Sequence, residues 1–537
     1  MSRIALQVRS GHIEYFRLTR ILKNMLKNMR TTQTIYLLII AISVQGACSA
    51  PDDLAKSSHP TLDSYLSAKT VFERALVAHG GADNIRAINR VDLTMEGSTV
   101  MRHQSIDHST VNRTPRTDHL IVDFASRRAY QDTDRYFGAD LHEGDRVYVM
   151  NGDDIFTYID ETNTAQDNDP ANRFPNTTYI EWSLPRLILK EISNNPRSIR
   201  SLGQKLIAGT SYEVLAFPWP NNQVVSLYFD VSTGFLNRLS RPTMDALEGD
   251  TAIDYIYEGY EKRDDGLITP TTLTVELAGE PVIEHEYKSI VFNGDLDEAI
   301  FERPENVAFI HTEPSAGYNL VEIVNDVYVV DFPQTRPNVF FVIFKDYILA
   351  MDAPANSSYS SQAIAAIRSV SDKPIRYVIP SHHHDDHSGG LRAFVAEGAT
   401  VITPSDDLEY YRKMMSAKYT IFPDALSYNN ISASFEVVDD ERIFDDNTHS
   451  AKLINIGSPH AKNMFIVWLP VERIVITTDT FEFFDGHPVA AASNAAVAFA
   501  KSLEDENIKP EIILESHSRA SYTWKDLQTS LKLRAKE

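Results

Sequence analysis

His382, His384, Asp386 and His387 form an H-x-H-x-D-H pattern that places four metal-ligand side chains within six positions. Imidazole and carboxylate are the ligand types that suit Zn²⁺ and similar first-row divalent ions. On an extended loop, His382 and His384 face one way and can hold one ion. Asp386 and His387 can turn toward a second ion beside it. The competing reading is a solvated His-rich tract without fixed geometry. The surroundings oppose that reading. Residues 375–379 (IRYVI) read as a short buried strand that ends at the motif, and Gly389-Gly390 open the amphipathic run 391–396. Layered α/β folds place their sites at the carboxyl ends of strands.

The elements that must position these ligands begin after a linker at 305–317, marked by Pro314 and Gly317. Residues 320–330 and 339–351 read as paired strands and 361–370 as a helix. Strands are expected at 400–403, 451–456, 464–469, 473–478 and 512–515, with helices at 494–505 and 523–535. Strands that first pair and then alternate with helices favour sheets covered by helices on their outer faces.

Three further motifs follow in order: Gly457-Ser458-Pro459-His460, Asp479 within Thr477-Thr478-Asp479-Thr480-Phe481, and His517 within Glu515-Ser516-His517-Ser518. With them, residues 318–537 resemble the metallo-β-lactamase superfamily. The resemblance implies an αββα sandwich and a catalytic domain. It implies that His382, His384 and His460 hold one ion, that Asp386, His387 and His517 hold another, and that Asp479 bridges them. Two Zn²⁺ are the implied cofactors, other divalent first-row metals being alternatives. Asp386 carries an implied catalytic role, orienting the nucleophile or passing its proton to the leaving group. Two positions depart from the family pattern: Thr478 and Ser518 stand where the family usually has Gly, so the loops carrying Asp479 and His517 are expected to differ locally.

Residues 67–304 read as a β-rich domain. A helix at 67–79 is stopped by Gly80-Gly81, a shorter one spans 85–88, and another is expected at 179–192. Between and after them run strands at 91–95, 119–124, 146–150, 155–159, 211–217, 224–229, 235–239, 252–257, 273–277 and 282–292, several separated by Asn-Gly, Asp-Gly or Thr-Gly turns. The segments 72–97 and 301–307 resemble the lipoprotein-carrier type of β half-barrel. That resemblance implies a concave apolar surface for a lipid, a lipophilic substrate or a partner segment. His103, His108 and His119 show no ligand spacing and read as surface or hydrogen-bonded histidines. The fold class is therefore α+β, a mainly antiparallel β domain followed by the αββα sandwich.

Lys and Arg number 51 against 74 Asp and Glu, a formal charge of −23, which disfavours nucleic acid as a partner. The apolar run 35–44, preceded by Lys23, Lys27 and Arg30 and followed by small residues at 46–50, reads as a signal peptide within a leader of 1–50, with a tether at 51–66. Initiation at Met25 or Met29 would give a more ordinary leader. Cys48, the single cysteine, admits a lipid anchor as the one membrane link, with simple cleavage near Ala50 as the alternative. The expectation is an exported, periplasmic or secreted binuclear zinc hydrolase that uses a metal-activated hydroxide on an ester, lactone, thioester or amide. Its substrate would be a small molecule, lipophilic if the first domain contributes to binding. Two alternatives stay open: a mononuclear iron redox enzyme of the same fold, of the persulfide-oxidising type, and a lipid- or partner-binding protein with a vestigial metal site.

Overall fold

The computed structural model describes residues 59–537 except 138–140, 160–163, 168–174, 264–265, 306, 311–316, 333–336, 430, 482–488, 519–520 and 537. The expected leader with Cys48, the first half of the tether and part of the linker lie outside the described residues.

Helix α1 (Pro60–Ala78) begins earlier than its pattern suggests, so residues 60–66 are helical rather than part of a tether. Pro60 at the first position costs nothing, because its missing N–H would be unpaired there anyway. Next come α2 (Ala82–Arg86) and strands β1 (Arg90–Met101), β2 (Asn112–Asp123), β3 (Arg128–Phe137), β4 (Leu141–Asn151), β5 (Asp154–Ile159) and β6 (Thr164–Asp167). Where one helix was expected at 179–192 there are two, α3 (Pro175–Trp182) and α4 (Pro185–Asn194). Pro185 cannot donate the bond that would continue α3, and it sits instead at the start of α4. Strands β7 (Arg200–Ile207), β8 (Thr210–Pro218), β9 (Val224–Asp230), β10 (Leu236–Asp245) and β11 (Gly249–Glu258) follow. A small pair, β12 (Glu261–Lys262) and β13 (Ile268–Thr269), precedes β14 (Thr272–Leu277), β15 (Glu280–Phe292) and β16 (Ala308–Ile310).

Fourteen of these strands form one sheet, antiparallel throughout except where β16 runs parallel to β6. In β1, Val91, Leu93 and Met95 are fully buried while Asp92, Thr94 and Glu96 alternate with them, the period-2 pattern of a strand with one covered face. That face is not an open apolar trough. Phe72 and Leu76 of α1, Ile180 and Trp182 of α3, and Leu187 and Ile188 of α4 fill it, packing on Leu93, Leu215 and Leu227.

Residues 320–330 and 339–351 are each a hairpin rather than a single strand: β17 (Asn319–Val324) with β18 (Val327–Asp331), and β19 (Val339–Ile343) with β20 (Ile348–Met351). Asp326, at φ 64°, makes the first of these turns. Helix α5 (Ser357–Val370) starts a turn earlier than expected because Asn356 caps the N–H groups of Ser358 and Tyr359. Strand β21 (Ile375–Ile379), helices α6 (Asp385–Ser388) and α7 (Leu391–Ala396), β22 (Thr400–Thr403), α8 (Leu408–Ser416), α9 (Ala425–Tyr428) and β23 (Ser434–Val437) complete the first half of the sandwich. Its second sheet comprises β24 (Glu441–Asp445), β25 (Ser450–Ile456), β26 (Met464–Leu469), β27 (Ile474–Thr477) and β28 (Ile512–Glu515), with α10 (Asn494–Asp505) and α11 (Trp524–Arg534).

Seven strands, β17 to β23 in order, face five, β24 to β28 in order. Between the sheets lie Phe340, Val342, Leu349 and Ile379 from one side and Phe465, Val467, Ile474 and Ile476 from the other. Helices α5, α7 and α8 cover one outer face through Ile364, Phe394 and Tyr411, and α10 and α11 cover the other through Phe499 and Leu527. This is an αββα sandwich.

Residues 65–537 form one compact unit, so the large sheet and the sandwich touch. The β10–β11 hairpin is one contact. The Asp250 carboxylate accepts from the N–H groups of Thr420 and Ile421, each at 2.9 Å, and Tyr419 donates to the Ala246 carbonyl at 2.7 Å. Gly249, at φ +73°, lies so close to Lys418 that a Cβ would stand 2.3 Å from its carbonyl oxygen. The β1–β2 connection, residues 102–111, makes another contact, and it reaches the histidine cluster. Among the described residues no helix is long and apolar enough to cross a membrane.

Candidate metal centre

The histidine loop leaves the end of β21 and runs into α6. Parallel strands β20, β21 and β22 hold it, so its start is fixed by three buried apolar runs. Ser381 is tied on both sides: its N–H donates to Asp352 Oδ1 at 2.8 Å, and its carbonyl accepts from Phe465 N–H of the second sheet at 2.7 Å. Gly390 permits the return of the chain, since a Cβ there would stand 2.0 Å from Ser360 Oγ.

The structure brings all seven expected ligands together in two overlapping groups. One is His382, His384, His460 and Asp479, and the other is Asp386, His387, Asp479 and His517; within each group the donor atoms lie within 4.8 Å of one another. His460 Nε2 stands 3.3 Å from His382 Nε2 and 3.0 Å from His384 Nδ1, and His517 Nε2 stands 3.2 Å from His387 Nε2. Two donors on a tetrahedral ion with bonds of about 2.0–2.1 Å stand about 3.3 Å apart, so the spacing fits a shared small cation. Asp479 faces both groups. Its Oδ2 is 3.0 Å from His460 and 3.2 Å from His387, and its Oδ1 is 2.9 Å from His517.

Ring orientation follows from the far nitrogens. His387 Nδ1–H donates to Asp352 Oδ2 and His384 Nε2–H donates to the Ser105 carbonyl, both at 2.9 Å. A carboxylate or carbonyl can only accept, so the far nitrogen of each ring carries a proton and the near nitrogen is the one that would offer its lone pair to an ion. His382 Nδ1 pairs with the Ser381 hydroxyl at 3.0 Å. Glu515, fully buried, accepts from Asp479 N–H at 2.6 Å and His517 N–H at 2.7 Å, clamping the two loops to each other.

Burial, reinforced by neighbouring imidazoles, holds His382 well below the usual imidazole range and His384 at about 4, so both are neutral donors. Burial opposes ionisation of Asp479, yet His387, His517 and His460 outweigh it and keep that carboxyl well below its usual range. His382 and His387 are fully buried, whereas the side chains of His460 and Asp386 are 32% and 33% exposed. Solvent and any substrate therefore meet the cluster along the edge formed by His460, Asp386 and His517.

Backbone strain is carried by Asp479 itself, at φ 51°, and not by Thr478 before it or by Ser518. Ser518 is anchored instead: its hydroxyl pairs with that of Tyr522 at 2.8 Å, and its carbonyl accepts from Asn338. Tyr410 and Tyr411 are buried beside the cluster. Tyr411 donates to the His382 carbonyl at 3.2 Å, and Tyr410 packs against His383 and stacks on His108 with ring centres 5.2 Å apart. The site residues missed from sequence are Asp352, Glu515, Gln104 and Ser105. Asp352 and Glu515 each lie at or just past a strand end, which is a usable signal. Gln104 and Ser105 sit in a polar connection of the first sheet, where no local pattern points to the cluster.

Residues 351–517 match the family model described as the metallo-beta-lactamase superfamily. Residues 351–517, which carry all seven expected ligands, are similar to that superfamily. Solved metallo-β-lactamases from Pontibacter korlensis and Hirschia baltica are among the structures similar to part of this chain. Each is 16% identical over 41% of this chain, covering 100% and 98% of their lengths, with TM-scores of 0.32 and 0.30. A linear primary-alkylsulfatase from Pseudomonas sp. is 36% identical over 50 residues, which is 9% of this chain. The chain thus spans about a tenth of the length of that curated relative, 10%. The metallo-β-lactamase region carries the whole ligand cluster, and Gln104 and Ser105 reach it from the preceding antiparallel β domain.

Proposed function

We propose that this chain is an exported binuclear zinc hydrolase that opens an ester, lactone, thioester or amide. What supports the reading is that two complete donor sets converge on one shared carboxylate, Asp479, with ring orientations fixed from behind. His382, His384 and His460 would hold one ion, Asp386, His387 and His517 the other, and Asp479 both. When bound, such ions polarise a substrate oxygen and lower the pKa of water at the site. Asp386 lies on the accessible edge with Oδ1 held by Gln104, where it can orient the attacking water and pass a proton to the leaving group. A mononuclear iron redox centre would leave the second donor set without a task, and a vestigial site would not need Asp352 and Glu515 to hold its loops. The alkylsulfatase relative adds sulfate esters to the substrates worth testing. Export rests on the apolar run 35–44, with lipid attachment at Cys48 or cleavage near Ala50 as its two forms.

Metal analysis of the purified mature protein, together with a hydrolysis panel of lactones, aryl esters, thioesters, phosphodiesters, alkyl sulfates and a cephalosporin with and without chelator, tests this reading. About two zinc ions per chain and chelator-sensitive hydrolysis are expected. One iron per chain with oxygen consumption would overturn it. Mass spectrometry of the chain from fractionated cells tests export, and an unprocessed protein in the cytosol would remove that part.

A further inference from the structure

Each donor set straddles the two sheets of the sandwich. His382 and His384 follow β21 of the first sheet, while His460 follows β25 of the second. Asp386 and His387 belong to the same loop after β21, while His517 follows β28. Ligands from two sheets keep a common geometry only if the strand ends are held at a fixed separation. On the His460 side, Phe465 N–H, on the strand that follows His460, donates to the Ser381 carbonyl at 2.7 Å. On the His517 side the tie is Asn338.

Asn338 stands immediately before β19 and is 2% exposed. Its N–H donates to the Ser516 carbonyl at 2.8 Å, and its Nδ2–H donates to the Ser518 carbonyl at 2.9 Å. One residue of the first sheet therefore grips the chain on both sides of His517. A carbonyl only accepts, so the amide is oriented with its NH₂ group toward Ser518. At the other end of the amide, Oδ1 is buried with no hydrogen-bond partner among the described residues. A buried acceptor in that state costs free energy, and a leucine of similar size would not carry the cost. Packing alone does not account for an amide at this position, whereas the bond to Ser518 does.

We propose that Asn338 is a positioning residue for the ion held by Asp386, His387 and His517, an inference that rests on the two-ion reading. Its side chain fixes the Ser518 peptide and with it the reach of His517, whose Nε2 stands 3.2 Å from His387 Nε2 and 2.9 Å from Asp479 Oδ1. His517 depends on such a hold because it follows a four-residue strand at the edge of its sheet, whereas β21 lies between two neighbours. Without the Nδ2 donor the turn is released on its far side, and His517 no longer keeps one distance to its partners. The other donor set, tied through Ser381, is untouched.

Metal titration of the full chain tests this. Metal-free parent, Asn338→Ala and Asn338→Asp are loaded with Co²⁺ and followed by visible absorption, whose ligand-field bands report the geometry around each ion. Both variants keep the backbone bond to Ser516 and lose the donor to Ser518, and Asn338→Asp also keeps the shape of the side chain. One ion should bind as in the parent and the other about 10–100-fold more weakly, with its bands altered. In a His387→Ala background, which keeps only the His382, His384 and His460 side, Asn338→Ala should change nothing. A parent that binds a single ion overturns the two-ion reading, and the proposal with it. With two ions in the parent, unaltered binding in both variants, equal weakening of both ions, or a further loss in the His387→Ala background overturns the role of Asn338 alone. Circular dichroism of the metal-free chains precedes the titration, and unfolding of both variants would make Asn338 a residue of the fold only and overturn that role as well.

Discussion

Gln104 Nε2 donates to Asp386 Oδ1 at 3.1 Å, across 282 residues of sequence and from the antiparallel β domain into the metal cluster. The same amide also hydrogen-bonds Asp385, and the next residue, Ser105, orients His384 through its carbonyl. One connection of the first sheet thus fixes a ligand in each donor set. Gln104→Ala frees Asp386 to rotate away from His387 and His517. The ion on that side should bind about 10–100-fold more weakly while the other is kept. Metal content after dialysis against graded chelator measures this, and two ions retained as tightly as in the parent would remove Gln104 from the centre.

Asp479 is the one carboxylate common to both groups, so its loss should be felt by both. Asp479→Ala is expected to leave less than one ion per chain, whereas His460→Ala should leave about one. Because Asp479 sits at φ 51°, an alanine there also carries about 1–2 kcal/mol of backbone strain. Asp479→Gly removes the carboxylate without that strain. Equal metal loss in the two variants, read by elemental analysis, assigns the effect to the carboxylate; full retention in Gly would assign it to the backbone.

What sequence could say about this centre followed from locality. His382, His384, Asp386 and His387 share one loop and were legible from their types and spacing, whereas His460, Asp479 and His517 were legible through the resemblance of their motifs to the metallo-β-lactamase superfamily. The supporting carboxylates Asp352 and Glu515 were legible only as polar residues at or near strand ends. Gln104 and Ser105 were not legible, because their role depends on the packing of two sheets far apart in sequence. The same reason hid the first half of β2, a strand expected only from 119: Arg116 and Asp118 lie before that start and bury each other on an inward face. The expectation of an apolar concave surface failed for a related reason, since helices α1, α3 and α4 take up the apolar face.

His79 and His285 are buried outside the metal centre, and burial is the main cause holding each at about 4. In the unfolded chain both titrate near about 6.5. Between those values the unfolded chain binds more protons than the folded one, so stability falls as pH is lowered from about 6.5 toward 4 and levels off below. Each histidine contributes on the order of 3 kcal/mol to that fall. Urea unfolding followed by the fluorescence of Trp182 and Trp219, which lie in the first-sheet core, should show it. His79→Phe keeps the ring packed at the edge of Phe235 and Tyr260 and should flatten the profile by its share. An unchanged slope would mean that His79 is not neutral in the fold.

Arg392 follows the ligand loop directly and is 2% exposed. Its guanidinium meets Asp424 at 2.6 and 3.0 Å, donates to the carbonyls of Met414, Met415 and Ala417 at the end of α8, and lies 4.0 Å from the ring centre of Tyr419. Tyr419 in turn bonds the β10–β11 hairpin, so one buried cation joins the support of the ligand loop to the contact between the sheets. Removing one partner of a buried pair strands the other without water. Arg392→Met is therefore expected to cost about 3–5 kcal/mol, and Asp424→Leu a similar amount. The double variant leaves no unpaired charge and should be less destabilised than the sum of the two. Chemical denaturation of the three variants decides the matter: a loss below about 1 kcal/mol in Arg392→Met, in the range of an exposed pair, would show that water reaches the guanidinium and that the pair is not a structural joint.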